Sequence, residues 1–184
     1  MNSREMTWNR SMEWTSLGRL VLLMATGLVI TNLGLPQYIT GPLVNALLIL
    51  TVLWSGVSQA IFVGMVTPMG AALSGVLPLP LWIMIPFIAL GNARWVSLFG
   101  GLRAANRWVA LVVAAVAKFL LLYLAVTMLV AHPLNLMISG HAQAVVVPQA
   151  IVAMMTWPQL LTALAGGVIA FGVEFGSHRL AKKS

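Results

Sequence analysis

The chain lacks two residue types that much protein chemistry depends on, because it contains no cysteine and no aspartate. Its acidic residues are three glutamates: Glu5, Glu13 and Glu174. Without cysteine there are no disulfides, thiol nucleophiles or thiolate metal ligands. With three acidic residues, the chain has almost no means of forming the paired carboxylates of acid–base catalysis, and it has no aspartate for a magnesium site. The composition therefore argues against an enzyme, and we expect no cofactor.

Charge is scarce, whereas apolar residues are abundant. Of 184 residues, 60% are hydrophobic and 7% are charged, and the mean hydropathy is +0.98. A soluble core of this size cannot bury so much apolar surface. Since roughly 20 helical residues cross a hydrocarbon layer of ~30 Å, the chain has room for six spans. We predict an all-α membrane protein, a bundle of six transmembrane helices, with residues 1–184 forming a single transmembrane domain.

Six apolar runs, separated by glycine, proline and polar residues, carry this prediction: 20–33, 42–54, 56–74, 81–102, 108–130 and 157–175. Segment 132–155 is predicted to be a long loop with an interfacial piece. Five or seven spans remain open alternatives, if the second run is re-entrant or if this loop crosses the membrane. Gly56, Ala60 and Gly64 repeat every four residues, which predicts a close approach of a neighbouring helix.

Most basic residues lie at the ends of apolar runs, although the net charge of +7 could by itself suggest a nucleic-acid partner. They fall in the lead-in 1–19, in the turn after the fourth run and in the tail 176–184, whereas the alternate loops carry none. Because lysine and arginine favour cytoplasmic loops, both termini are predicted to be cytoplasmic. We therefore expect a lipid bilayer and no nucleic acid around this chain.

Lys118 is the most informative residue within the runs. It lies eleven positions beyond Arg107, which places it ~16 Å deeper along the same helix. A charge near the bilayer centre costs at least ~2.5 kcal/mol, so Lys118 should face the bundle interior or a wet cavity and have a partner. Asn92, about twelve residues into the fourth run, must also form hydrogen bonds. Lys118 could bind a ligand, form a structural pair or be uncharged. For Asn92, and for Asn45 near the outer end of the second run, structural and ligand-binding roles stay open.

Other polar residues in the runs have simpler interpretations. Arg94 can extend its side chain toward the cytoplasmic headgroups. Glu174 is expected to pair with Arg179 or with Arg94. Thr156 and Gln159 have the spacing of a helix-capping box, so this helix start, together with the deep lysine, would favour an anionic or strongly polar acceptor group on a ligand.

Aromatic and serine motifs are ambiguous. Four aromatic residues could stack on a ligand, although an interfacial aromatic belt also explains them: Tyr38, Trp82, Tyr123 and Trp157. The sequence Ala-Leu-Ser-Gly at 72–75 is faintly similar to the serine motif of intramembrane proteases, but its first small residue is not glycine. His132 and His141 lie in the predicted loop, without metal-site spacing. No phosphate-binding Gly-Lys-Ser/Thr motif is present, so the chain cannot use ATP by itself.

Three segments together carry a resemblance to a known family: "GPLVNALLILTVLWSGVSQAIFVGMVTPMGAALSG", "IPFIALGNA" and "TWPQLLTALAGGVIA". They resemble the second and third, the fourth, and the sixth helices of the substrate-binding S component of energy-coupling factor (ECF) vitamin transporters. The resemblance covers most of 41–170 and rests on diffuse glycine and proline patterns. It implies cytoplasmic termini, a ligand pocket that faces outward and a lid formed by outer loops.

The resemblance also implies a function, a set of site residues and partners. The chain would capture a vitamin or related metabolite at a bacterial plasma membrane, and a coupling transmembrane subunit with two ATPase subunits would drive uptake. Small residues on the first helix would dock the coupling subunit; Val21 and Ala25 match that pattern imperfectly. The implied substrate-binding residues are Asn45, Asn92, Lys118, Tyr123, Trp157 and Gln159, with Tyr38 and His141 in the lid. Two alternatives remain: a structural or assembly membrane subunit without a ligand, and, less favoured, an intramembrane serine hydrolase.

Overall fold

A computed structural model describes residues 3–73, 75, 79–132, 135–138, 141–144 and 147–182, with only the backbone described at 3–14, 79–80, 135–138, 141–144 and 181. Within these ranges the chain is almost entirely helical. Its helices are α1 (Ser3–Asn32), α2 (Gln37–Ser55), α3 (Val57–Leu73), α4 (Ile85–Leu102), α5 (Arg107–Ala131), α6 (Gln149–Met154) and α7 (Trp157–Ala181). A 3₁₀ segment, Leu79–Met84, leads into α4. Two short strands, β1 (Asn135–Ile138) and β2 (His141–Ala144), pair antiparallel.

The helices have the length and composition of membrane spans. Five apolar helical segments are long enough to cross a bilayer: Thr15–Asn32, Gln37–Ser55, Leu81–Leu102, Arg107–Ala131 and Gln149–Leu180. Helix α3 is apolar but has only 17 residues. Many large apolar side chains on the outer faces of these helices are exposed, as lipid contact requires. The prediction of a helical chain is thus confirmed, and the fold is compatible with a multi-pass membrane protein.

Local sequence explains where several helices begin and end. No proline precedes Pro36, so α1 runs through the polar lead-in instead of beginning at the first apolar run. Gly56 separates α2 from α3 and has a φ of +96°, which residues other than glycine rarely adopt. The Asn106 side chain accepts hydrogen bonds from the backbone N–H groups of Trp108 and Val109, which caps the start of α5.

The region predicted as a long loop contains regular structure in its described parts. The β1–β2 pair runs in register from Asn135 opposite Ala144 to Ile138 opposite His141. Helix α6 follows, and after Met155 and Thr156 the chain enters α7. The six residues of α6 are too few to cross a bilayer by themselves.

The core lies mainly between α2, α4, α5 and α7. Helix α2 packs most extensively against α7, and α4 packs most extensively against α5. Trp95 and Phe99 of α4 are fully buried against Leu48 and Ile49 of α2 and Leu111 of α5. This packing holds the middle of α2, α4 and α5 together, where the deep polar residues lie.

At one end of the bundle lie three arginines of the described part of the chain, Arg19, Arg103 and Arg107, and we call it the basic end. Two arginines reach the last carbonyls of α2: Arg103 Nη1 donates to Val52 O at 3.1 Å, and Arg19 Nη1 donates to Trp54 O at 3.5 Å. Arg107 pairs with Glu174 at 3.4 Å. The expected pairing of Glu174 with Arg94 or Arg179 was therefore wrong, because the start of α5 lies against the end of α7.

Candidate functional site

Lys118 is buried in the bundle and held by two asparagines. Its side chain is 4% exposed, and Nζ donates to Asn45 Oδ1 at 2.6 Å and to Asn92 Oδ1 at 2.8 Å. Both asparagines are 2% exposed. Helices α2, α4 and α5 each contribute one residue, and we call Asn45, Asn92 and Lys118 the lysine cluster. The expectation that Lys118 faces the interior and has partners is met.

The orientation of the Asn92 amide is fixed from two sides. Its Nδ2 donates to Gly64 O in α3 at 2.9 Å, while its Oδ1 accepts from Lys118. Exchanging the amide N and O would set donor against donor and acceptor against acceptor. Lys118 Nζ also lies 5.9 Å from the centre of the Trp95 ring, within range of a cation–π interaction. These contacts hold the ammonium in one place.

Each asparagine is backed by a glycine from a neighbouring helix. A Cβ added at Gly64 would lie 2.9 Å from Asn92 Cβ, and one added at Gly166 would lie 2.6 Å from Asn45 Cβ. Carbon atoms in ordinary contact are about 3.5–4.0 Å apart. Glycine at these two positions therefore allows α3 and α7 to approach the two asparagines closely. Gly64 was predicted from its four-residue spacing to be a packing residue, whereas Gly166 was missed, because its only signal in the sequence is the Gly166–Gly167 pair.

A cavity of about 230 Å³ adjoins the lysine cluster. It lies where α1 and α3 end and where α2, α4 and α7 begin, at the end of the bundle away from the basic end. Its polar lining includes Gln37, Thr40, Asn45, Asn92, Lys118 and Gln159. Its apolar lining includes Val44, Pro68, Leu81, Ile88, Met154 and Met155. The site thus has the mainly apolar walls and few polar groups that small-molecule pockets typically have.

Gln159 lines this cavity, but the predicted capping box is not formed. Gln159 Nε2 donates to Met154 O at 3.2 Å, and Thr156 Oγ1 donates to Ala153 O at 2.7 Å. No side-chain hydrogen bond caps α7. The prediction was wrong because α6 ends directly before α7, and both side chains donate to the last carbonyls of α6. The Gln159 amide instead forms a hydrogen bond between α7 and the end of α6.

The predicted aromatic residues are not brought to the cavity. Tyr38, Tyr123 and Trp157 are 72%, 42% and 66% exposed, and none of them is among the described lining residues. Tyr123 and Trp157 both contact Phe119, with ring centroids 5.8 and 5.3 Å away. This arrangement fits an interfacial belt, and a binding role for the three residues stays a prediction.

The remaining candidates lie elsewhere on the chain. His141 begins β2, but its side chain is outside the described part, as is the whole of Ser74 from the serine motif. Val21 and Ala25 are exposed on α1, and their docking role stays a prediction. Among the described residues, no group of histidine and acidic side chains could hold a metal ion.

The chain matches no protein-family model, and no curated protein or solved structure is significantly similar to it. The fold and the site therefore indicate a general class of protein and not a particular family. It is a helical chain, compatible with a multi-pass membrane protein, in which a buried lysine held by two amides adjoins an internal cavity.

Proposed function

We propose that the chain is a solute-binding membrane subunit of an importer, of the ECF S-component type, which captures a vitamin-like metabolite. The observation that carries the proposal is the cavity of about 230 Å³ beside the lysine cluster. Polar side chains that only join helices do not need an open chamber next to them. Here the same residues that hold Lys118 also line the chamber, so a solute that enters it can reach them.

The distribution of charge supports uptake from outside. Arg19, Arg103 and Arg107 lie toward the basic end, and the cavity lies toward the other end. If the basic end is cytoplasmic, as the positive-inside rule favours, the cavity faces outward. In a bacterial plasma membrane this orientation suits capture of scarce external solutes.

Energy for transport would come from partner subunits. The chain has no phosphate-binding motif, so the coupling transmembrane subunit and two ATPase subunits that the ECF resemblance implies would supply it. Helix α1 offers a surface for docking, because Leu23 and Gly27 are the buried residues among 15–32, whereas Val21, Ala25 and Val29 are exposed. This surface includes the two positions predicted to dock the coupling subunit.

The test is the identification and binding of a solute. The full chain, purified in lipid nanodiscs, should carry a small metabolite that mass spectrometry detects. Lys118→Met should weaken rebinding of that metabolite by roughly 10- to 100-fold, because a hydrogen bond to a charged group contributes ~1.5–3 kcal/mol. Arg94→Met is the matched control, since it removes a cation from an exposed position of α4 outside the described cavity lining. Equal affinity in both variants, or a chain that never carries a solute, would contradict the proposal.

A structural or assembly subunit without a ligand is the second candidate, and the mutual hydrogen bonds within the lysine cluster favour it. The triple variant Asn45→Leu, Asn92→Leu and Lys118→Met separates the two candidates. Replacing a buried polar cluster by apolar residues is often neutral or stabilising. For a solute-binding subunit, we expect the variant to fold with nearly unchanged stability and to lose its solute. Loss of folding or of complex assembly, with no solute in the parent chain, would favour the structural candidate.

A further inference from the structure

The charge around the cavity is one-sided. Lys118 is the only charged residue among the described residues that line it. Glu174 is the only acidic residue with a described side chain, and it pairs with Arg107 at the basic end. Arg107 lies eleven residues before Lys118, about 16 Å away along α5. No described carboxylate therefore neutralises the ammonium group beside the cavity.

The hydrogen bonds of Lys118 leave room for one more acceptor. A lysine ammonium has three N–H donors, and two of them are taken by Asn45 Oδ1 and Asn92 Oδ1. The described part of the chain provides no third acceptor. Both existing acceptors are neutral amides, whose dipoles offset a buried charge only in part. The ammonium thus has a free donor and an uncompensated charge next to an open space.

A second donor lies beside the ammonium. Asn45 Oδ1 is engaged by Lys118, while Asn45 Nδ2 has no acceptor among the described residues. A carboxylate has two oxygens, so one can accept from Lys118 Nζ and the other from Asn45 Nδ2. The apolar lining, which includes Val44, Leu81 and Ile88, suits an apolar body attached to such a group.

Building on the proposed function, we propose that the cavity binds a small organic monocarboxylate, whose carboxylate contacts Lys118 and Asn45 and whose apolar body packs against the apolar side chains that line the cavity. An amine would meet Lys118 with a like charge and find no described carboxylate. A dianionic phosphate would leave one negative charge without a cation, in a site where unpaired charge is costly. The cavity volume of about 230 Å³ lies just below the range of drug-sized pockets, about 300–1,000 Å³, so the ligand should be a small metabolite.

The experiment compares three probes that differ in one group: benzoate, benzamide and benzylamine. Each is titrated into the full chain in nanodiscs made of uncharged lipid, and binding is followed by calorimetry. We expect benzoate to bind at least about 10-fold more tightly than benzamide, and benzylamine to bind most weakly, because only benzoate supplies a negative charge to the ammonium.

Two variants assign the preference to Lys118. Lys118→Met removes the ammonium. Asn45→Asp keeps the side-chain shape and puts a carboxylate where an amide oxygen now lies 2.6 Å from Nζ, so it neutralises the charge of the ammonium group. This second variant tests the same point if Lys118→Met folds poorly. Both variants should bind benzoate and benzamide about equally. Arg94→Met, which removes an exposed cation from α4, should keep the benzoate preference.

The outcomes distinguish this inference from the proposed function. Tighter binding of benzamide or benzylamine than of benzoate would overturn the carboxylate assignment but leave solute binding intact. A benzoate preference that survives in both Lys118→Met and Asn45→Asp would also overturn it. If no probe binds, the charge of the co-purified metabolite decides: an acid supports the inference, and a neutral or basic compound overturns it. If no probe binds and no metabolite co-purifies, both proposals fail.

Discussion

The contact between α2 and α7 at Gly166 makes a quantitative prediction. In Gly166→Ala, the new Cβ would lie 2.6 Å from Asn45 Cβ, 2.7 Å from Pro42 O and 2.8 Å from Ala46 N. Two of these three atoms belong to the backbone, so the helices must separate by about 1 Å to restore ordinary contact distances. Overpacking costs ~1–3 kcal/mol, so we expect a loss of about 1–3 kcal/mol in the free energy of unfolding.

A second glycine of the same helix supplies the control. A Cβ at Gly172 would have no atom within 4 Å, so Gly172→Ala should be neutral or stabilise the helix by up to about 1 kcal/mol. The assay is unfolding of both variants by SDS titration in mixed micelles, followed by circular dichroism. If Gly166→Ala unfolds at the same SDS fraction as Gly172→Ala, the close approach of α7 to Asn45 is refuted.

Three further predictions concern the other side of the cluster, the cavity and the basic end. Gly64→Ala should destabilise the fold by roughly 1–3 kcal/mol in the same titration, since its Cβ would lie 2.9 Å from Asn92 Cβ; an unchanged midpoint would contradict this. Val44→Phe should fill part of the cavity and weaken solute binding at least about 10-fold while the fold stays intact, and unchanged binding would place the ligand elsewhere. A double-mutant cycle of Arg107→Gln and Glu174→Gln should give a coupling below about 1 kcal/mol that falls with added salt, because the arginine side chain is 52% exposed; a larger, salt-independent coupling would refute a solvent-screened pair.

Much of the fold could be predicted from sequence because apolar runs of membrane-spanning length are strong signals. The run predicted at 108–130 became α5, Arg107–Ala131, with nearly the same ends. Elements with weaker local sequence signals were not predicted. The start of α1 at Ser3 was missed because its polar residues carry no apolar periodicity, and the β1–β2 pair was missed because strands of four residues depend on each other for their hydrogen bonds.

The polar part of the candidate site could be predicted because a polar side chain in an apolar run must find a partner. Lys118, Asn92 and Asn45 were selected for that reason, and Gln159 as part of the expected capping box; the structure brings all four to one cavity. Which polar groups pair with which depends on how the helices pack, so neither the contact of Lys118 with both amides nor the contact of Arg107 with Glu174 could be derived. Aromatic residues are ambiguous in sequence, because a ring at the membrane interface and a ring in a pocket have the same local pattern.

The lysine cluster and the cavity do not stabilise the folded bundle by themselves. A lysine at this depth costs at least about 2.5 kcal/mol on insertion scales. A cavity of about 230 Å³ leaves the side chains around it without the packing contacts that a filled core provides. A bundle that needed only rigidity would be better served by leucine and methionine at Asn45, Asn92 and Lys118, which would remove the charge and fill the space. Both costs fall when one molecule fills the space and presents a negative charge to the ammonium. The two unfavourable features occur side by side, and a bound solute relieves both at once, whereas a purely structural role relieves neither.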